Sequence, residues 1–358
     1  MTRKDALVAA GIAAGGMLMG AALAAEARRA RRAIELDGVA ALVTGGSRGL
    51  GLLIARELGR QGAHVVLMAR NQAELDRAEQ KLRAEGLDVS TVAGDVSQPA
   101  DARRAVETTV ARHGAIDVLV NNAGVITVGP VEHASLADFE EAMGVHFWGP
   151  LHTMQAAIPH MQRQGGGRIA NISSVGGKIG VPHLVPYCAS KFALAGLSSA
   201  ITPEIARHNI AVTTVCPGLM RTGSAFNAWF KGQHREEFAW FAIADSLPLL
   251  STSGRYAAAR IVDALRHGDA DLVITWAAKL GAVAAALMPN TVAIALQAAN
   301  ALLPDPQPSA GEERWSGWQS LSAWAPSQLA RLAEQARLAE QPGDSVRPLD
   351  GAAPRARA

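Results

Sequence analysis

The chain has 358 residues, and its 34 Lys and Arg against 32 Asp and Glu leave a net charge of +2. That is too weak a basic field for a general nucleic-acid binder. Hydrophobic residues make up 49% and charged residues 18%, which supplies one large core and excludes a wholly disordered chain. The two cysteines, Cys188 and Cys216, sit among apolar neighbours and read as buried free thiols of a reducing compartment. No Cys or His spacing suits a metal.

Residues 6–25 carry no charge and, at about 1.5 Å per residue, would span about 30 Å as a helix, roughly one bilayer core. Arg28, Arg29, Arg31 and Arg32 follow. A membrane anchor fits that length, and the arginines would hold the following domain on the cytoplasmic side. A cleaved signal peptide is opposed by the same arginines. A plain Ala/Gly helix in a cytoplasmic protein is the third reading, since nine alanines and four glycines give little insertion energy. Gly11/Gly15 and Gly16/Gly20 would permit close helix pairing in a membrane.

From Val39 onward apolar runs alternate with helical patterns. Strands are expected at 39–43, 64–68, 88–93, 116–120, 168–172, 210–215 and 272–275. Helices are expected after Gly51, over 72–85, over 100–113, from the N-cap Ser135 to Gln164, and around Tyr187 to about His208 with a kink at Pro203. This alternation predicts an α/β fold, a doubly wound parallel sheet of Rossmann type, in one catalytic domain over residues 34–275. A hydrophobic N-terminal segment (1–33), an apolar helical extension (276–303) and a Pro- and Trp-containing, partly disordered tail (304–358) flank it. Within the tail, Ser327 is expected to cap a short helix reaching Glu340.

Two groups of residues carry chemistry. Gly45, Gly49 and Gly51 fall where the first strand turns into a helix, a place where backbone N–H groups and a helix N-terminus can approach a pyrophosphate. Tyr187 and Lys191 are one helical turn apart and share a face. An ammonium beside a phenol favours the phenolate and is expected to draw its pKa down from about 10. Ser174, thirteen residues before the tyrosine, could hold the oxygen that Tyr187 protonates.

Thr44–Gly51, Asn121–Gly124, Ser174, Tyr187-Cys188-Ala189-Ser190-Lys191 and Pro217-Gly218 stand in an order and spacing that resemble the short-chain dehydrogenase/reductases. The resemblance covers about residues 36–275 and points to the single-domain NAD(P)-dependent group. It implies that Tyr187 is the proton donor or acceptor, that Lys191 binds the nicotinamide ribose, and that Ser174 orients the substrate oxygen. It further implies cofactor contacts from Gly45, Ser47, Arg48, Gly49, Leu50 and Gly51, and at the adenine from Asp95 and Val96. Asn122, Ala123 and Gly124 would line the cofactor, with Asn121 and Asn122 equally able to stabilise the sheet. Pro217, Gly218 and Thr222 would hold the carboxamide. A homo-oligomer is implied in the same way.

Charge decides the expected cofactor. No acidic residue ends the second strand; Ala69 and Arg70 stand there, with Arg48 in the glycine loop. Two arginines suit a ribose 2′-phosphate, so NADP(H) is favoured over NAD(H). One position departs from the family pattern. Where an asparagine is usual, the chain reads Val145-His146-Phe147-Trp148-Gly149, and His146 either takes over a water-linked proton relay or is a tolerated replacement.

Six of the sixteen aromatic residues, Phe226, Trp229, Phe230, Phe238, Trp240 and Phe241, fall in the expected substrate lid, residues 218–250. They predict an apolar wall for a bulky lipophilic carbonyl or alcohol, or else a helical pair packed on the sheet edge. The expected activity is hydride exchange between a nicotinamide and a carbonyl or secondary alcohol. The rival is a catalytically silent, nucleotide-binding, membrane-attached interaction protein.

Overall fold

The structure is a computed structural model that describes residues 24–247, 251–307, 311 and 313–321. All but the end of the 6–25 segment, and the expected helix from Ser327 to Glu340, lie outside the described residues.

In chain order the domain opens with helix α1 (residues 24–31), then β1 (Ala40–Thr44), α2 (Gly49–Arg60), β2 (His64–Ala69), α3 (Gln72–Ala84), β3 (Val89–Ala93), α4 (Pro99–His113) and β4 (Val118–Asn121). A short strand β5 (Thr127–Val128) leads to α5 (Leu136–Met143) and α6 (Gly149–Arg163), then β6 (Gly167–Ile172), α7 (Val185–Ile205), β7 (Ile210–Pro217) and β8 (Leu219–Arg221). After these come α8 (Ser224–Asn227), β9 (Trp229–Phe230), α9 (His234–Ser246), β10 (Ser251–Ser253), α10 (Gly254–His267), β11 (Asp271–Ile274), α11 (Trp276–Leu287), α12 (Pro289–Asn300) and β12 (Trp315–Ser316).

Seven parallel strands form the central sheet in the order β11-β7-β6-β4-β1-β2-β3. Strand side chains alternate between faces, and the apolar runs load both. Ala41, Val43, Val65 and Leu67 enter one core with α2 and α10, while Leu42, Val66 and Met68 enter another with α4 and α6. Burial on both faces explains why these strands read as continuous apolar runs. The chain winds outward from β1 to β3, then returns to β4 and winds the other way. That reversal opens a crevice at the carboxyl ends of β1 and β4, where α/β sheets bind ligands. Cys188 and Cys216 are buried and free, as expected.

Three features go beyond the sequence reading: a π-helical turn, helix α10 and the ordered residues 313–321. The helix after Ser135 runs through to Arg163, but over Gly144–Trp148 it is π-helical, with α5 before this turn and α6 after it. Gly149 then lies so close to Val96 that a β-carbon there would come within 2.9 Å of its side chain. The helix around Tyr187 reaches His208 as expected, with Pro203 inside α7 and a 3-10 turn over Ala206–His208 at its end. Helix α10 was not foreseen, although Ala257, Ala258, Ile261, Val262 and Leu265 repeat at helical spacing and Ser253 caps its first turn. Residues 313–321 are also more than loose tail. Trp315 pairs with Phe230, Trp318 packs on Phe226 at 5.2 Å, and the Arg314 guanidinium donates to Asp138 and Glu141.

Helices α11 and α12 are short and apolar, and of their side chains only Ala278 is buried. No described helix is long and apolar enough to cross a membrane. Helix α1 is fastened to the domain by Arg29, which donates to Asp263 at 2.6 Å and to Asp269 at 3.0 Å.

Candidate active site

Of the residues singled out in the sequence for catalysis or cofactor binding, all but Gly51 line one cavity of about 770 Å³ at the carboxyl end of the sheet. Gly51 lies beneath it, where a β-carbon would overlap the Gly45 carbonyl oxygen. Gly45 itself has φ +64°, and a β-carbon on it would meet Ala123 Cα at 2.7 Å. The turn therefore tolerates only glycine at both places. Above Gly49 the space is open, with Thr222 the nearest neighbour at 3.9 Å, so the start of α2 is free to face an anionic group.

Two polar side chains fasten this loop to the end of β4. Thr44 Oγ1 accepts the backbone N–H of Asn122 at 3.0 Å and of Ala123 at 3.2 Å. The Asn122 amide donates to the Thr44 and Gly45 carbonyls, each at 3.1 Å. Asn121 points into the sheet instead, donating to Asn171 at 2.8 Å and accepting from Thr153 at 2.6 Å. Asn121 thus braces the sheet, and Asn122 braces the glycine turn while lining the cavity. Asp95 accepts from the Ser97 N–H and hydroxyl at 2.9 and 2.8 Å, which fixes its carboxylate at the cavity edge.

Glu74 is a residue that sequence reasoning missed. It reads as one more charge on a surface helix, yet it lines the cavity and accepts from Arg48 Nη1 at 3.0 Å and the Ser47 hydroxyl at 3.1 Å. Arg48 is thereby part-neutralised, and Arg70 is the other cation at that end of the cavity.

Ser174 ends the strand–turn passage after β6, its Oγ accepting the Gly176 N–H at 3.0 Å. Tyr187 occupies the first turn of α7, and Lys191 follows one turn later with its Nζ 5.6 Å from the phenol ring centroid. Lys191 Nζ donates to the Ile172 carbonyl at 2.8 Å. The expected depression of the phenol pKa is not what this site produces. Burial pushes Tyr187 up to about 12, with the Ser174 hydroxyl working against it, and the same burial drops Lys191 to about 7. A buried ammonium loses charge as readily as it stabilises a neighbouring phenolate.

His146 stands in the π-helical turn, 1% exposed. Its Nε2 accepts the Val125 N–H at 3.1 Å, and its Nδ1 is 2.7 Å from Ser190 Oγ, which donates onward to the Tyr187 carbonyl at 2.8 Å. An Nε2 acceptor requires the proton on Nδ1. Burial, and then the Lys191 charge, hold the imidazole well below its usual pKa, so it is neutral.

The lid corrects the expected aromatic wall. Phe226, Phe230 and Phe238 pack on one another with ring centroids 5.4–5.6 Å apart, forming the lid's own core, and only Trp240 and Phe241 of the six line the cavity. Beside them lie Ser224, Asn227 and Asp245, polar residues that sequence reasoning passed over. Burial pushes the Asp245 carboxyl up to about 7, against the Ser224 hydroxyl that donates to it.

A glycine turn, a helix start and a tyrosine–lysine pair around one crevice are what a hydride-transfer fold requires. Residues 39–230 match the model of the short chain dehydrogenase family. The chain belongs to that family. Among its relatives, the gluconate 5-dehydrogenase of Gluconobacter oxydans is 37% identical over 188 residues, covering 52% of this chain and 73% of that one. Human dehydrogenase/reductase SDR family member 4 is 35% identical over 197 residues, covering 55% and 71%. Among solved structures, a gluconate 5-dehydrogenase from Burkholderia cenocepacia, in complex with NADP and tartrate, has a TM-score of 0.60 at 29% identity, covering 68% of this chain and 96% of that one. This short-chain dehydrogenase is accordingly an oxidoreductase acting on CH–OH and C=O groups with a nicotinamide cofactor. The rival reading, a catalytically silent nucleotide binder, gives way.

Proposed function

We propose that this short-chain dehydrogenase is an NADP(H)-dependent reductase of carbonyl compounds, with Tyr187 as the acid that protonates the carbonyl oxygen. The observation that carries the reading is the meeting of Ser174, Tyr187 and Lys191 in the cavity that the glycine turn opens. The turn and the α2 start would hold the pyrophosphate, Asp95 the adenine, and Pro217, Gly218 and Thr222 the carboxamide end. Bound there, the nicotinamide supplies or accepts the hydride. Ser174 orients the substrate oxygen, and Tyr187, neutral at a pKa of about 12, arrives with its proton in place. Lys191, close under the phenol, steadies the ribose side. Trp240 and Phe241 offer the carbon skeleton an apolar face. A carbonyl panel followed by NADPH oxidation, with Tyr187→Phe as the blank, tests this reading; no turnover of any carbonyl would overturn it.

Preference for NADP(H) rests on Arg70 and Arg48, and is supported by the NADP in the Burkholderia structure. Glu74 works in the other direction, since a 2′-phosphate must compete with it for Arg48. Arg70→Asp should shift the NADPH:NADH ratio of kcat/KM toward NADH by about 10-fold or more, the worth of one charge-assisted hydrogen bond. Glu74→Gln should tighten NADPH. An unchanged NADPH affinity in Arg70→Asp would sink the assignment.

For His146 we favour positioning over a relay. Both ring nitrogens already have partners, one on the strand-end segment and one on the catalytic helix. His146→Ala is expected to lower kcat and thermal stability together, and to leave the shape of the pH–rate profile intact. Loss of an ionisation from that profile would restore the relay.

A further inference from the structure

The lid side of the cavity holds a carboxylate that neither the cofactor turn nor the Tyr187 proton transfer uses. Asp245, in the last turn of α9, is 4% exposed and lines the cavity beside Ser224, Asn227 and Trp240. Its Oδ2 accepts the Ser224 hydroxyl at 2.7 Å. Among the described residues nothing donates to Oδ1, and no cation pairs with the carboxyl. Tyr187 and Asp245 line the same cavity.

A buried carboxylate with one oxygen satisfied and no counter-ion carries a standing desolvation cost. Here the second oxygen opens on the cavity where the substrate must sit. With the carboxyl pushed up to about 7, both forms are present at neutral pH; a ligand group that donates to Oδ1 favours the ionised form, which only accepts. A hydroxyl is such a donor and leaves the rest of the molecule free to lie on Trp240 and Phe241. A bare hydrocarbon ketone would leave the carboxylate unpaired and dry.

We propose that Asp245 and Ser224 form a hydroxyl-recognition subsite, and that the substrate is a hydroxylated carbonyl compound whose hydroxyl donates to Asp245 while its carbonyl oxygen meets Tyr187 and Ser174. The proposal rests on the carbonyl-reductase reading for the identity of the reacting group, and deepens it by naming the substrate class.

The test uses the full chain with NADPH and linear ketones paired with hydroxyketones and aminoketones of matched length. Wild type should favour one hydroxyketone over its plain ketone by about 10–100-fold in kcat/KM, the range of a hydrogen bond to a charged group. In Asp245→Ala that ratio should fall to about one. Asp245→Asn, which keeps the volume and the Ser224 contact, should give an intermediate ratio. A preference that persists in Asp245→Ala, or one that favours the aminoketone, overturns the hydroxyl assignment. Calorimetry of linear sugar alcohols on the NADPH-loaded protein separates the two readings. If no ketone turns over, yet polyols bind wild type and not Asp245→Ala, the subsite stands and the carbonyl-reductase reading falls. Polyols that bind both proteins equally, or neither, overturn the subsite.

Discussion

Tyr187→Phe should lower kcat for the proposed carbonyl reduction by about 10²–10⁴-fold, the usual worth of a positioned general acid, while NADPH affinity should stay as it was. Phenylalanine keeps the ring that packs edge-on against His146 at 5.4 Å, so the catalytic helix keeps its place and only the hydroxyl is lost. Stopped-flow hydride transfer and fluorescence titration of NADPH read the two quantities separately. The pH dependence follows from the direction of the shift. With the phenol pushed up to about 12, the acid form needed for reduction is full at neutral pH and well above it. The phenolate needed for alcohol oxidation is scarce at pH 7 and grows tenfold per pH unit. Reduction should therefore show no loss assignable to Tyr187 below about pH 10, whereas oxidation should climb with pH. A Tyr187→Phe enzyme that still reduces its carbonyl at the wild-type rate would remove this residue from the chemistry.

The parts of the site legible in the sequence are those that depend on local spacing. A glycine turn between an apolar run and a helical pattern, and two residues four apart on a helix, keep their relation however the domain packs. The parallel sheet was legible for the same reason, because runs such as Ala40–Thr44 must be buried on both faces. What escaped depends on contacts between distant segments. Glu74 acquires its role from Arg48, 26 residues earlier, and Asp245 from Ser224, 21 residues earlier. The sign of the Tyr187 shift is of this kind as well. Adjacency to Lys191 was readable, but the burial that sets the sign comes from segments distant in sequence, among them the lid cluster and His146 of the π-helical turn. The lid aromatics were countable in the sequence, yet which of them face each other and which face the cavity follows from β9 pairing with β5 and with residues 315–316.

The largest effect on stability should come from Asp138, which joins the lid and the 313–321 segment to the domain. It is buried at the start of α5, where its carboxylate accepts the Ser135 N–H at 2.7 Å in a capping box. The same carboxylate accepts Lys231 Nζ from the residue after β9 at 2.5 Å and the Arg314 guanidinium. Burial raises its pKa, but the Lys231 ammonium, the Ser135 N–H and Arg314 more than offset this and hold it at about 2. Asp138→Ala would leave the Lys231 ammonium, 3% exposed, without its counter-ion. Breaking one side of a buried pair costs about 3–5 kcal/mol, or roughly 6–20 °C in Tm. Arg314 is partly exposed and can turn to water, so Arg314→Ala should cost much less. Replacing both buried partners, Asp138→Leu with Lys231→Met, should recover a good part of the loss, because neither charge is then stranded. The pH dependence has a fixed sign. A carboxyl near 4 in the unfolded chain and at about 2 in the fold adds stability above pH 4 that is lost as the pH falls toward 2. Acid melts of wild type should therefore show a steeper fall between pH 4 and 2 than those of the double variant. Parallel acid profiles would mean that Asp138 is not the group whose protonation releases the lid.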